Sequence, residues 1–355
     1  MTRADAEFET SPAGSGEQPG RARPRSGGIG PAFRPQPWTV GAHRQTLLGY
    51  LSRRGLRWPG PVEELVVDAG GDVRLLCLAS WQPGARREQP ALVLVHGLGG
   101  GADAGYMVAV GWRAWQLGWH VVRMNLRGAG ASEPLCPRLY NAGLTADLLA
   151  VLRDVAQQAR AVALAGFSLG ANLALLAASR DAHEAPRELL GVAAVSPPTD
   201  LSACADRLDA RDNRLYRHYF MANLRAAYRR RQARLPGSYA AGRERGLRSI
   251  RGYDEAITAP YGGFRDAADY YARSSAGPHL RTLAYPTLML SAADDPLIPT
   301  DSVTRWPLPT GTPVLRELLP TGGHLGFVAK SHAPGRFWAA DRVVAWLDER
   351  AQQAD

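Results

Sequence analysis

Between residues 91 and 319 the chain alternates short apolar runs with stretches of helical length. Ala91 to Val95 (ALVLV) is apolar at every position, as expected of a strand buried on both faces. Helical stretches at Tyr106 to Leu117, Leu144 to Ala159 and Leu169 to Ser179 alternate with strands at Trp119 to Met124, Ala161 to Ala165 and Leu189 to Val195. Strands separated by helices of this length join through right-handed crossovers into a parallel sheet covered on both faces. The alternation stops near Thr199 and resumes at Pro286 to Ser291 and Val314 to Leu319, and a helix from about Arg336 to Arg350 closes the chain. Residues from about 199 to 281 show helical stretches rich in Arg and Tyr without a strand-like run, so they form an insertion within the sheet.

Upstream, Val62 to Val67 and Val73 to Ser80 flank the turn Asp68-Ala69-Gly70-Gly71 and predict an antiparallel hairpin. Pro35 to Leu51 mixes aromatics with turn formers and predicts an ordered lead-in. Residues 1–30 lack a continuous apolar core, which predicts a disordered tail rather than a signal peptide. The fold class is therefore α/β: a mostly parallel, doubly wound sheet with an N-terminal hairpin, in one domain over residues 31–355 that carries a helical cap at about 199–281.

Charge narrows the partners. The net charge is +9, and Asp206 to Arg251 holds thirteen arginines against four acids, which is the whole surplus. A basic segment in an otherwise neutral chain points to a local surface for a phospholipid headgroup, an acidic substrate or nucleic acid, or to a solvated arginine-rich helical face. Its place as a cap-like insertion within the sheet speaks against nucleic acid, and Arg229, Arg230 and Arg231 would carry any contact with anionic lipid. Cys77, Cys136 and Cys204 form no CxxC pair, and no HExxH occurs. No metal and no cofactor is expected, and a reducing, cytoplasmic setting fits. No apolar run approaches the roughly 18 residues of a membrane span.

Chemistry concentrates at Gly166-Phe167-Ser168-Leu169-Gly170, which fits G-x-S-x-G between a strand and a helix. Such a sharp turn requires small residues around the serine and leaves its hydroxyl exposed at a helix N-terminus. A serine hydroxyl needs a base. Of the eight histidines, His324 lies in the glycine-rich Thr321 to Phe327 after the last strand; His332, at the approach to the terminal helix, is the competitor. The orienting carboxylate comes from the loop after the preceding strand, with Asp295, directly before Pro296, preferred to Asp294. This order, Ser then Asp then His, suits an open α/β sheet. The oxyanion donors are the N–H groups of Leu169 and of Leu98 in His96-Gly97-Leu98-Gly99-Gly100, where His96 acts as a loop brace.

These segments, with NLRGAG at Asn125 to Gly130, GFSLGAN at Gly166 to Asn172, SPPTDL at Ser196 to Leu201, ADDPLIP at Ala293 to Pro299 and GGHLGF at Gly322 to Phe327, resemble the α/β-hydrolase superfamily, in its YheT-like branch. The resemblance extends to GAHRQT (Gly41 to Thr46) and ITAPYGGFRDAADYY (Ile257 to Tyr271), and so to nearly the whole chain from about Pro35. It implies a serine esterase or lipase with a Ser168–His324–Asp295 triad, acting on a hydrophobic or short-to-medium acyl ester through an acyl-enzyme. Asn125 stands where the wider superfamily often has Asp. GAHRQT has no role derivable from its residues beyond a packing clasp around His43. A perhydrolase or haloperoxidase would share the triad, and a non-catalytic lipid- or anion-binding module is the alternative from another class. Tyr216, Tyr219, Phe220 and Leu224, at helical spacing, would give the insertion an apolar face over the acyl pocket.

Overall fold

The computed structural model describes residues 32–354, so the predicted tail lies outside the described residues. An eight-stranded sheet forms the centre, in the order β1-β2-β4-β3-β5-β6-β7-β8. Strands β1 (Glu63–Asp68) and β2 (Arg74–Ser80) form the antiparallel hairpin, and β2 also runs antiparallel to β4 (His120–Met124). From β3 (Ala91–Val95) through β5 (Val162–Phe167), β6 (Leu189–Val195), β7 (Thr287–Ala292) and β8 (Val314–Leu319) all pairings are parallel.

The two faces of the sheet bury separate cores, and the strands supply them by strict alternation. In β3, Ala91, Val93 and Val95 face one core and Leu92 and Leu94 the other. Helices α3 (Thr145–Gln158) and α4 (Leu169–Ala178) cover the first face; α2 (Gly105–Trp115) and the terminal helix Trp338–Ala354 cover the second. The terminal helix begins two residues later than predicted because Gly335 and Arg336 adopt left-handed backbone. Strand β5 runs two residues further than predicted, since Gly166 and Phe167 still pair with Ala194 and Val195.

The lead-in folds as a short turn, Pro37–Thr39, and helix α1 (Ala42–Arg53). Between β6 and β7 the chain is helical: α5 (Leu201–Asp209), α6 (Arg214–Arg234), a run of short turns and the helix Ala267–Ser274. Its arginines are largely engaged within the molecule. Arg229 pairs with Glu244, Arg230 and Arg234 with Glu133, and Arg251 with Asp206. Arg231 is buried and donates to the carbonyls of Gly128, Cys136 and Arg138, tying α6 to the loop after β4.

Candidate active site

Ser168 sits between β5 and α4 with φ 52° and ψ −120°, a backbone that an L-residue adopts only at a cost of about 1–3 kcal/mol. The two flanking glycines make the turn possible by close approach. A Cβ on Gly166 would overlap the carbonyl of Gly170, and one on Gly170 would overlap the carbonyls of Val95 and His96. Either side chain would force β3, β5 and α4 apart.

Three predicted side chains meet here. His324 Nε2 lies 3.1 Å from Ser168 Oγ, and His324 Nδ1 lies 2.9 Å from Asp295 Oδ2. The other oxygen of Asp295 accepts the N–H groups of Leu297 (2.8 Å) and Ile298 (3.1 Å), which fixes the carboxylate plane. Both Asp295 and His324 are largely buried, with side chains 2% and 10% exposed. His332 stands apart; its N–H donates to Asp341 at the approach to the terminal helix. Asp294 also touches the histidine loop, but away from the imidazole: it accepts the Gly323 N–H at 2.8 Å and the Thr321 hydroxyl at 2.6 Å. One acid thus faces the imidazole and its neighbour holds the loop.

The loop carrying Leu98 is braced from three directions. His96 Nδ1 lies 2.7 Å from the Gly97 carbonyl, and its Nε2 accepts the Leu126 N–H at 3.1 Å, which sets the tautomer with the proton on Nδ1. Burial pulls its pKa down to about 4, so the ring stays neutral. The N–H groups on either side of Leu98 are taken up by tyrosine hydroxyls: Gly97 donates to Tyr106 at 3.0 Å and Gly99 to Tyr140 at 2.9 Å. Burial raises both phenols, Tyr106 to about 12, and keeps them protonated. Asn125 accepts the Ala102 N–H and donates to the Leu76 carbonyl, tying the far end of the loop to the sheet. Leu169 opens α4, where the first N–H groups have no intrahelical carbonyl.

The histidine loop is supported from α1, a partnership that no side-chain pattern in the sequence discloses. Thr46 Oγ1 accepts the His324 N–H at 2.9 Å and donates to the Ala42 carbonyl at 2.7 Å. Gln45, fully buried, accepts the Val328 N–H at 2.7 Å. Arg53, also buried, donates to the carbonyls of Leu325 (2.6 Å) and Gly326 (3.1 Å) and stacks over Phe337. His43, the residue expected at the centre of a clasp, is exposed and contacts Tyr216. The clasp exists, but Gln45, Thr46 and Arg53 make its bonds to the histidine loop, and His43 does not. GAHRQT was the signal, yet nothing in it specified the partner. Of the four residues expected on the apolar face of α6, Tyr216, Phe220 and Leu224 pack inward, while Tyr219 is 52% exposed.

Residues 90–331 match the model of a family described as the alpha/beta hydrolase fold. The chain belongs to that family. It is 31% identical over 86% of its length, and over 89% of the relative's, to "Putative esterase YheT" of Escherichia coli strain K12. It is 27% identical to mouse phospholipase ABHD3, covering 68% of this chain and 59% of that one. Among solved structures it is similar to Pyrococcus furiosus esterase Pf2001, with a TM-score of 0.53 at 14% identity over 82% of this chain and 93% of that one, a likeness of fold. This α/β-hydrolase is thus an esterase- or lipase-type hydrolase by kinship. Among its described residues, no three of His, Cys, Asp and Glu lie close enough together to hold a metal ion, and no helix is long and apolar enough to cross a membrane.

Proposed function

We propose that the chain is a serine carboxylic ester hydrolase in which Ser168 is the nucleophile, His324 the general base and acid, and Asp295 the group that orients the imidazole. The observation that carries this reading is one histidine reaching a strained serine at a helix N-terminus on one side and a buried carboxylate on the other. With its Nδ1–H donated to Asp295, His324 presents an unprotonated Nε2 to Ser168 and takes the hydroxyl proton as Oγ attacks the ester carbonyl. Negative charge then develops on the carbonyl oxygen, and the N–H groups of Leu98 and Leu169 stabilise it. Protonated His324 returns its proton to the departing alkoxide, leaving an acyl-serine and a free alcohol. Water repeats the sequence in reverse roles: His324 removes its proton, hydroxide adds to the acyl carbon, and the carboxylic acid leaves as Oγ regains a proton.

The helical insertion between β6 and β7 acts in this reading as a cap. Its contacts with the site support that role: Asn213 donates to the Pro296 carbonyl at 2.6 Å, next to Asp295, and Tyr216 interacts with His43 and Thr46. Substrates are esters with a hydrophobic or short-to-medium acyl chain, for which p-nitrophenyl esters of graded length are the direct probe. Ser168→Ala is expected to lose at least about 10³-fold in kcat and all labelling by a fluorophosphonate. Hydrolysis or labelling that persists in that variant defeats the reading.

A further inference from the structure

Helix α1 is built inside out. Its buried face is polar, made by Gln45 and Arg53 around Gly49, whereas its outward face carries Leu47, Tyr50 and Leu51, each about half exposed at 51, 52 and 54%. Residues 43, 44, 47, 50, 51 and 54 are all exposed, and that spacing places them on a single stripe of a 3.6-residue helix. The preceding turn adds Trp38 and Val40, 56% and 49% exposed. A second helix continues the surface: His43 Nδ1 lies 3.1 Å from Tyr216 Oη with the two rings stacked, and Tyr219 interacts with Tyr50. From that seam α6 turns outward Leu215, 76% exposed, and Tyr219. Of the eleven large apolar side chains left exposed among the described residues, seven belong to this face; the other four lie on or beside the edge strands β1 and β8.

Its charge has one sign. Ala32 to Val62 holds five arginines and no acid, and the 21 residues of α6 hold seven arginines and no acid. Arg44 and Arg54 are exposed on this face, and Arg214, also exposed, opens α6 next to Leu215; among the described residues none of the three has an ion-pair partner. The arginines at the far end of α6, Arg229, Arg230 and Arg234, are by contrast matched to Glu244 and Glu133. Apolar and amphipathic aromatic side chains flanked by uncompensated arginines, on a helix lying along the surface, suit the boundary between headgroups and acyl chains of an anionic bilayer.

We propose that α1 and the first turns of α6 form a docking face for an anionic phospholipid surface, and that the charge of the insertion matters for docking at this end rather than at Arg229 to Arg231. The face stands independently of the hydrolase reading. Because α1 is about 10 Å across, a bilayer held there would lie one helix diameter from the loop of His324.

The test uses the full chain carrying Ser168→Ala, so that vesicles survive, in cosedimentation with phosphatidylcholine vesicles with and without phosphatidylserine. Binding is expected only with phosphatidylserine and should weaken as salt is raised. The combined change Leu47→Ser, Tyr50→Ser and Leu51→Ser should reduce vesicle binding at least about tenfold. Arg44→Gln with Arg54→Gln should reduce it several-fold, and Arg229→Gln with Arg230→Gln should leave it unchanged; thermal melts monitor folding in each. Three results overturn the proposal: no binding by the parent chain, equal binding by the apolar and charge variants, or a dimer in light scattering that the apolar variant converts to monomer, which would make a second copy the occupant.

Discussion

The serine turn and the histidine loop both hold residues in left-handed backbone, but they are stabilised in opposite ways. At the serine turn the support is local: Gly166 and Gly170, two positions either side of Ser168, remove the side chains that would block the approach of β3, β5 and α4. In the histidine loop Leu325 and Phe327 have φ of 54° and 42° without being glycine. Their conformation is held from Gln45 and Arg53, more than 270 residues earlier, and the neighbouring Gly323 is held by Asp294. Strain supported by adjacent residues is part of the core, whereas strain supported by a remote helix can be lost without the core.

That difference sets the size of what each side does when damaged. Gly170→Ala places a methyl group against the carbonyls of Val95 and His96, which cannot move without shifting β3. It should cost about 4 kcal/mol or abolish soluble protein. Expression and a denaturant melt read this out. A stable, well-folded Gly170→Ala that merely loses activity would erase the contrast with the histidine loop.

Acid distinguishes the brace beside the serine turn from the insertion. His96 has a folded pKa of about 4 against an ordinary 6.5, so below about pH 6.5 the unfolded chain takes up a proton that the folded one refuses. Its contribution to stability is complete above pH 6.5 and declines as pH falls to 4. Asp254 in the insertion behaves in the opposite way. Burial raises its carboxyl from 3.8 to about 6, so the folded chain holds a proton that the unfolded one has released, and stability from this group is greatest below pH 3.8 and lost as pH rises through 6. Between pH 6 and 4 the two effects largely cancel in the parent protein. Asp254→Asn keeps an acceptor for Tyr271 or Thr258 and removes the opposing titration. The variant should therefore lose about 3 kcal/mol relative to the parent on going from pH 6 to pH 4, measured by urea unfolding at each pH. Parallel stability profiles would mean that Asp254 is not held protonated.

The same contrast explains what could be read from the residues alone. The sheet was legible because strands such as Ala91 to Val95 carry their burial in an unbroken apolar run, and the turn at Ser168 because the glycines it needs are its neighbours. The position of Asp294 and Asp295 after β7 placed both acids on one loop, but which one faces the imidazole depends on the direction of two adjacent side chains. GAHRQT was visible as a unit and opaque in purpose. The hydrogen bonds of Gln45 and Arg53 end on carbonyl and amide groups of Leu325, Gly326 and Val328, and a backbone partner leaves no mark in side-chain identity. The arginine run was legible only as charge for a related reason: composition records the charge of Arg229 to Arg231, not the carboxylates and carbonyls that receive it.

Thr46 gives the finest test of remote support, because its hydroxyl holds the backbone of the proposed base without touching the imidazole. The group accepts from His324 N and donates to Ala42 O, and serine can do both. Thr46→Ala removes both bonds, a loss of about 1–2 kcal/mol, and frees the backbone of His324. If that freedom is felt where the ring must align with Ser168, kcat should fall about tenfold while KM stays within about twofold, since acyl binding does not depend on the imidazole angle. Thr46→Ser should restore kcat. A general loosening of α1 would instead lower the melting temperature of both variants and move kcat and KM together. Intact kcat in Thr46→Ala would mean that the loop keeps its shape without α1, and the two strained regions would then be alike after all.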